Sequence, residues 1–392
     1  DALSAKGQHL GPGQQAHALQ LLASAVHALQ AKSHGWDEGN KLADALFSHF
    51  AHDYQEVRKA VCETLVEWEW TWLRPSLKSV PELLAHSRSA HGSLLAHSDV
   101  MRQRCEALQK QLRSWRAQRQ PLAYGTSKYD VIASTGALWV CLCLDDHRLG
   151  PMSTYVLSLV PDLFEAFQLR DNEELSETAH DVLVQVASHP FSAAQVPVLL
   201  EALLYILRRS ESWHSRLDAL PLLQIVYFQN LYLLSHDMKR YILDMLCSLL
   251  RDPHIEVRDM AATTLAGIVR CSQREHIAKL SQTFANMAAV SIPRRGTPGY
   301  EATMTQVHAG VLGASALVVA FPYDVPSWMP SLVLDTIAVH SESPVPISTT
   351  VRRCAADFRR THQDTWAEDQ HKFGDRVQEV HDFTVGRSDY FA

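Results

Sequence analysis

The chain has 392 residues, of which 46% are hydrophobic and 20% are charged. A chain of this length and composition can bury a sizeable core, which excludes disorder as its main state. Lysine and arginine total 36, aspartate and glutamate total 43, and the formal net charge is −7. A mildly acidic chain is a poor candidate for wrapping nucleic acid, so we expect no direct nucleic-acid partner.

The cysteines and the apolar stretches indicate the cellular environment in which the protein works. Seven cysteines are scattered along the chain, mostly in apolar runs, which predicts buried thiols in a reducing compartment. The longest mainly apolar stretches, residues 131–144 and 311–321, are shorter than the ~20 residues of a membrane-spanning helix, so we expect no membrane partner. The first residue is Asp1 and no basic segment followed by an apolar core opens the chain, which favours a fragment of a longer protein.

The apolar periodicity is mostly helical, and glycine and proline fall mainly between the periodic segments. Residues 1–35 carry several glycines and give the least certain pattern. Basic residues cluster at 110–119, where the usual interpretation is a solvated helix face and the alternative is an anion site. Prolines near 293, 322–330 and 344–346 predict loops. Because no long polar linker interrupts the pattern, we predict a single continuous array over residues 1–392.

The clearest predicted hairpin lies between residues 238 and 268. Apolar residues recur at helical spacing from Met238 to Leu250. Asp252 is a candidate N-cap for the next helix, and Pro253 suits its first turn. We predict that the two helices pack through facing apolar stripes, formed by Val257, Ala261, Leu265 and Ile268 on one side and by Tyr241, Met245 and Leu249 on the other.

A short motif repeats along the chain. Residues 52–60 and 252–260 both carry Glu-Val-Arg in register, which places Arg58 and Arg258 200 residues apart, or five repeats of about 40 residues. An aspartate precedes the arginine by five residues in the first copy and by six in the second. A weaker echo surrounds Arg216. The motif resembles the turn and second helix of a HEAT repeat, so we predict an all-α fold, an α-solenoid of HEAT-like helical hairpin repeats.

No sequence pattern indicates catalysis. The 21 histidines form no His-Glu-x-x-His motif, and the chain contains no Cys-x-x-Cys pair. A nucleophile elbow, a Walker loop and a dinucleotide-binding glycine motif are also missing. We therefore predict no catalytic residue, no metal site and no enzyme activity. His214, His254 and His308 are interpreted as solvated or capping residues.

From residue 213 to 392, the sequence resembles the C-terminal part of the large HEAT-repeat proteasome activators, the family of proteasome activator complex subunit 4. The resemblance rests on four ordered stretches: EVRDMAATTLAG at 256–267, HAGVLG at 308–313, PYDVPSWMP at 322–330 and FRRTHQDTW at 358–366. It implies a dome of stacked hairpins that caps the core (20S) proteasome without ATP, binds its α-ring subunits and helps open its gate. The alternative is a HEAT-repeat scaffold for protein–protein interaction in transport or trafficking.

The resemblance also implies two functional positions. Family members end in hydrophobic-Tyr-any, and the matching residues Tyr390, Phe391 and Ala392 are the expected proteasome-binding tail. Animal members resemble an acetyl-lysine reader with an Asn-Phe pair, and the equivalent positions here are Ser272 and Gln273. Because that pair is missing, we expect no preference for acetylated histones.

Further implications concern cofactors and location. The residues predict no cofactor, and the family suggests only an inositol phosphate in a basic opening. Family membership implies protein degradation and DNA repair, in the nucleus and the cytoplasm. The basic loop of animal members is reduced here to Arg294 and Arg295, which is too short for a convincing import signal.

Overall fold

The fold is that of a computed structural model, which describes residues 10–29, 37–73, 91–121, 127–145, 150–193 and 195–385. Within these ranges all regular structure is helical and no strand occurs, which confirms the predicted all-α class. The chain divides into two compact units, Asp1–Ile206 and Leu207–Ala392. A single continuous array across both units stays a prediction.

The first unit contains helical hairpins whose second helices form one layer. Its helices are α1 (Pro12–Leu29), α2 (Asp37–Ser48), α3 (Gln55–Leu73), α4 (His91–Gln118), α5 (Lys128–Asp145), α6 (Val160–Phe167) and α7 (Glu173–Ser188), with a 3₁₀ segment at Gly150–Leu159 and most of α8 (Gln195–Arg209). Helix α3 packs on α5, and α5 packs on α7. Each also contacts the helix before it in the chain, which is the arrangement of stacked hairpins.

The second unit repeats this arrangement more regularly. Its helices are α9 (Trp213–Gln229), α10 (His236–Leu249), α11 (Ile255–Cys271), α12 (Ile277–Ala288), α13 (Tyr300–Val319), α14 (Ile347–His362), α15 (Trp366–Asp369) and α16 (Val377–Val385). A π-helical segment, Leu332–Ile337, lies within the helical stretch before α14. Helices α9, α11, α13 and α14 pack one on the next and begin 42, 45 and 47 residues apart, which is a HEAT-like period.

The predicted hairpin forms from α10 and α11, but the buried stripe of α10 is rotated from the predicted one. Leu265 on α11 is fully buried, as expected. Tyr241 was placed on the shared face and is 40% exposed, because its hydroxyl accepts a hydrogen bond from Arg208 outside the core. Met245 is only half-buried. The neighbouring Ile242 fills the core instead.

The cap of α11 also differs from the prediction. The helix begins at Ile255, so the N-cap position belongs to His254, whose side chain makes no capping hydrogen bond. Asp252 accepts the backbone N–H of His254 at 2.9 Å, and its carboxylate pairs with Arg216 at 2.8 Å. The aspartate therefore stabilises the turn before the helix and ties it to α9.

The apolar stretch near residue 311 belongs to a longer helix than expected. By length and composition, the 20-residue helix α13 could cross a membrane, because an apolar window of 18 residues within it has a mean hydropathy of 1.3. However, 72% of the apolar window is buried inside the unit, where α13 packs against α11, α12 and α14. Gly310 permits the close approach, because a Cβ atom there would lie 2.5 Å from the backbone nitrogen of Ala288. The apolar character of α13 is that of a core helix.

Candidate functional site

The repeat arginines make the same contact with the turn before their helix. The Nη1 atom of Arg58 donates to the backbone carbonyls six and five residues earlier, at 2.7 and 3.2 Å. Arg258 repeats both bonds at the same two distances. Arg216 makes the first of them, at 2.8 Å. Because the acceptors are backbone carbonyls, the one-residue shift of the preceding aspartate does not disturb the contact.

His308 is buried, so its interpretation as a solvated or capping residue is wrong. Its side chain lies on α13, where the residue is 1% exposed. Arg258 donates from Nε to Nδ1 of His308 at 3.2 Å, so Nε2 carries the ring proton and donates to the Thr350 hydroxyl at 2.9 Å. Burial lowers the pKa of His308 to about 3, and the charges of Arg258 and Arg353 add to this effect. The histidine is therefore a neutral link between α11, α13 and α14.

The other two singled-out histidines stack on one tryptophan. The rings of Trp213 and His214 lie 3.7 Å apart, and those of Trp213 and His254 lie 5.1 Å apart. Both histidines are half-buried. Within the described ranges, no group of three or more His, Cys, Asp or Glu side chains is placed to hold a metal ion.

The basic cluster at 110–119 is not a fully solvated face. The guanidinium of Arg116 lies over the ring of Tyr129, 5.4 Å from its centroid. The Arg119 side chain is buried and donates to the carboxylates of Asp130 at 2.7 Å and Asp171 at 3.0 Å. The two carboxylates occupy this guanidinium, which argues against an anion site at Arg119. The spacing of the arginines could not reveal these partners, because they lie on other helices or loops.

The reader-equivalent positions meet at a tyrosine that the sequence did not single out. Helix α11 ends at Cys271, which is exposed although the sequence favoured buried thiols. The Ser272 hydroxyl lies 2.6 Å from the hydroxyl of Tyr227, to which the Gln273 amide donates at 3.2 Å. Gln273 is buried and adopts a φ of 63°. Both polar groups are engaged inside the unit, and the loss of acetyl-lysine recognition stays a prediction.

A surface groove of about 430 Å³ runs between α11, α13 and α14. Its floor consists of small side chains such as Ala266 and Ala316, and Arg270 and Arg353 lie along it. Ser272 and Gln273 are not among its lining residues. The groove is therefore separate from the positions at which the resemblance places an acetyl-lysine reader.

The expected proteasome-binding tail, Tyr390, Phe391 and Ala392, lies outside the described residues. The described chain ends with α16 at Val385, seven residues before the terminus. Helix α16 packs on α14. Arg376, directly before it, pairs with Asp335 at 2.8 Å and with Glu379 at 2.9 Å. The segment that leads to the tail is thus anchored to the second unit, and seven residues can extend at most ~25 Å from Val385.

Two family models match parts of the second unit. Residues 304–392 match the family described as proteasome activator complex subunit 4-like, C-terminal, and residues 242–272 match the HEAT repeat. Proteasome activator complex subunit 4 of Homo sapiens is 34% identical over 235 residues, which are 57% of this chain and 13% of that protein. The Xenopus laevis protein of the same name is 33% identical over 235 residues, which are also 57% of this chain and 13% of that protein.

A more distant relative matches a longer part of the chain. Proteasome activator BLM10 of Saccharomyces cerevisiae is 23% identical over 370 residues, which are 89% of this chain and 17% of that protein. The chain therefore spans less than a fifth of the curated relatives that it matches. The resemblance of the C-terminal portion to the large HEAT-repeat proteasome activators is confirmed, and the HEAT match coincides with the α10–α11 hairpin.

Proposed function

We propose that this chain is the C-terminal part of an ATP-independent activator that caps the core (20S) proteasome, binds its α-ring subunits and helps open its gate. The observation that carries the proposal is the family match over residues 304–392. The stacked hairpins are consistent with it, because they are the kind of repeat that the resemblance implies for such a cap. In this proposal the chain is not an enzyme, and peptide hydrolysis belongs to the core particle.

The tail is the proposed anchor on the core particle. The terminal carboxylate of Ala392 supplies a fixed negative charge for a lysine in a pocket between two α-ring subunits. Phe391 supplies a large apolar ring, and Tyr390 supplies the preceding hydrophobic contact. Anchoring of α16 on α14 supports this role, because it limits the volume that the seven terminal residues can search.

The test compares three tails on the full chain and on its parent protein. Core-particle affinity and hydrolysis of a fluorogenic peptide are measured for the native tail, for Phe391→Tyr and for a tail that lacks Phe391 and Ala392. We expect the truncation to abolish binding and activation. Phe391→Tyr should bind equally well or more tightly, by up to the ~0.5–1.5 kcal/mol of one added hydrogen bond.

Two results would contradict the proposal. If the truncated tail binds and activates as well as the native tail, the tail is not an anchor. If a native pull-down recovers transport receptors or coat subunits and no core proteasome subunits, the HEAT-scaffold alternative is correct.

We also propose that the chain does not select acetylated histones. The reason is that Ser272 and Gln273 are engaged with Tyr227, and glutamine offers no aromatic face to an acetyl methyl group. Titration of acetylated and unmodified histone-tail peptides into the chain tests this. A preference above tenfold, about 1.4 kcal/mol, would show that other residues read the mark.

The remaining proposals rest on the resemblance alone. They are residence in the nucleus and the cytoplasm, participation in DNA repair, and binding of an inositol phosphate as the only cofactor. Cell fractionation, repair assays in cells that lack the parent protein, and calorimetry with an inositol phosphate test them in turn.

A further inference from the structure

Two non-glycine residues in the described ranges have a positive φ, and the fold explains only one of them. They are Gln273 at 63° and Tyr323 at 89°. This backbone region is unfavourable for side chains with a Cβ atom, especially bulky ones, and needs a compensating interaction. Gln273 has one, since its buried amide donates to Tyr227. Tyr323 is 68% exposed, and its side chain makes no hydrogen bond or ring contact with another described residue.

The loop that carries Tyr323 is fixed by apolar contacts on both sides of it. The loop connects α13 to the helical stretch that begins at Met329. Before Tyr323, the Phe321 ring packs edge-to-face on Trp328, with centroids 5.4 Å apart, and the guanidinium of Arg274 lies over it. After Tyr323, Val325 is buried. The loop therefore has tertiary contacts on both sides of Tyr323, although the Tyr323 side chain itself is exposed.

Asp324 ties the same loop to the segment that leads to the tail. Its backbone carbonyl lies 3.3 Å from Nε2 of His362, at the end of α14. Its carboxylate accepts a bond from Lys372 at 3.1 Å, and Lys372 also binds Asp369 at 3.0 Å. His362 and Lys372 thus fix the residue next to Tyr323, and the chain continues from Lys372 into α16.

We infer that Tyr323 is a preformed anchor that enters an apolar pocket on the same partner as the tail, which under the proposed function is the α ring of the core proteasome. This inference rests on the proposed function. The fold gains no hydrogen bond or ring contact with a described residue from this side chain. A tyrosine on a fixed backbone loses little backbone freedom when it binds, and tyrosines are common centres of interface energy. We expect a hydrogen-bond acceptor for its hydroxyl in the pocket and an acidic side chain near Lys372.

The tail and Tyr323 strengthen one another when both bind one partner. Both belong to the second unit, and the tail extends at most ~25 Å from Val385. Once the tail is bound, the effective concentration of Tyr323 near its pocket is high. Once Tyr323 is bound, the effective concentration of the tail near its own pocket is high in the same way. Loss of either contact should therefore weaken the complex by more than its isolated contribution suggests.

The test separates stability from binding by using glycine, which adopts a positive φ without steric cost. Tyr323→Gly in the full chain should melt at the same or a higher temperature than the native chain and bind core particles at least tenfold more weakly. The matched control is Tyr232→Ala, which removes a 99% exposed tyrosine in the turn between α9 and α10. The affinity of this control for core particles should lie within twofold of that of the native chain.

Tyr323→Asn, which also tolerates the backbone conformation, replaces the glycine variant if that variant fails to fold. A photo-cross-linking phenylalanine at position 323 should label an α-ring subunit, and the same group at position 232 should not. If Tyr323→Gly binds within twofold of native while removal of Phe391 and Ala392 weakens binding, this inference is wrong and the proposed function stands. Equal weakening by Tyr323→Gly and Tyr232→Ala also overturns the inference. If neither the native chain nor its parent protein binds core particles, both are wrong.

Discussion

The hairpins at α3 and α11 carry the same motif, but their arginines have different environments beyond the turn. Arg58 and Arg258 bind the two turn carbonyls at the same distances. Arg258 also donates to His308, which continues to Thr350, so that one chain of hydrogen bonds joins three helices. Arg58 instead borders a cavity of about 240 Å³ with Glu174, and its Nε makes no hydrogen bond to a described residue. The motif encodes the turn, whereas the partner helix determines how hairpins are linked.

The largest expected difference between the two copies follows from removal of the arginine. Arg258→Ala leaves two turn carbonyls and Nδ1 of His308 without their donor in a buried site, and it should cost ~3–5 kcal/mol of unfolding free energy. Arg58→Ala loses only the turn bonds and should cost ~1–3 kcal/mol. Urea denaturation of both variants measures the difference. Equal losses would mean that the turn contact carries nearly all of the energy and the link to His308 little.

The apolar stripe provides a second pair, for which we expect the two copies to agree. Leu65 and Leu265 each lie seven residues after the motif arginine, and both are fully buried. Replacement of either by alanine should cost ~2–5 kcal/mol, since both leave a cavity in a packed hairpin. The same denaturation experiment measures both. A loss below 1 kcal/mol at one position would show that its hairpin collapses around the cavity or is loosely packed.

Features that depend on residues close in sequence were predictable, and features that depend on distant partners were not. The hairpin and the burial of Leu265 follow from helical periodicity. The buried face of α10 was misassigned at Tyr241, because periodicity counts tyrosine as apolar and cannot show that its hydroxyl binds Arg208. His308 was misinterpreted because its partners lie 50 and 42 residues away.

The reader-equivalent positions show the same limit. The resemblance identified Ser272 and Gln273 by position, but their common partner Tyr227 lies 45 and 46 residues upstream. No local pattern relates a tyrosine in the last turn of α9 to the end of α11. The tail stays a prediction from a resemblance over ordered stretches, because a motif of three residues is not specific without them.

Two helical glycines, one in each unit, provide a third comparison, in which the expected changes in stability are smaller. A Cβ atom at Gly310 on α13 would lie 2.5 Å from the backbone nitrogen of Ala288, so α12 would have to move. Gly310→Ala should therefore cost ~1–3 kcal/mol. At Gly136 on α5, no atom of the described residues beyond the neighbouring residues and the local helix backbone lies within 4 Å of such an atom. Gly136→Ala should stabilise the chain by ~0.5–1 kcal/mol through the helix propensity of alanine. Thermal unfolding of both variants checks the opposite signs, and destabilisation by Gly136→Ala would show that the space beside α5 is filled.

The smallest expected effect is the pH dependence that His308 adds to the second copy of the motif. His308 has a pKa of about 3 in the folded chain, compared with about 6.5 when unfolded. Between these values the unfolded chain binds a proton that the folded chain excludes, so this residue lowers stability as the pH falls from 6.5 towards 3. From pH 6 to pH 5 its share should be about 1 kcal/mol. His308→Gln removes the titrating group but keeps an acceptor for Arg258. From pH 6 to pH 5, the unfolding free energy of this variant should therefore fall by about 1 kcal/mol less than that of the native chain, whatever the stability of the variant at pH 7. If both proteins lose the same stability between pH 6 and pH 5, then His308 can accept a proton in the fold, and the link from Arg258 through His308 to Thr350 is not rigid.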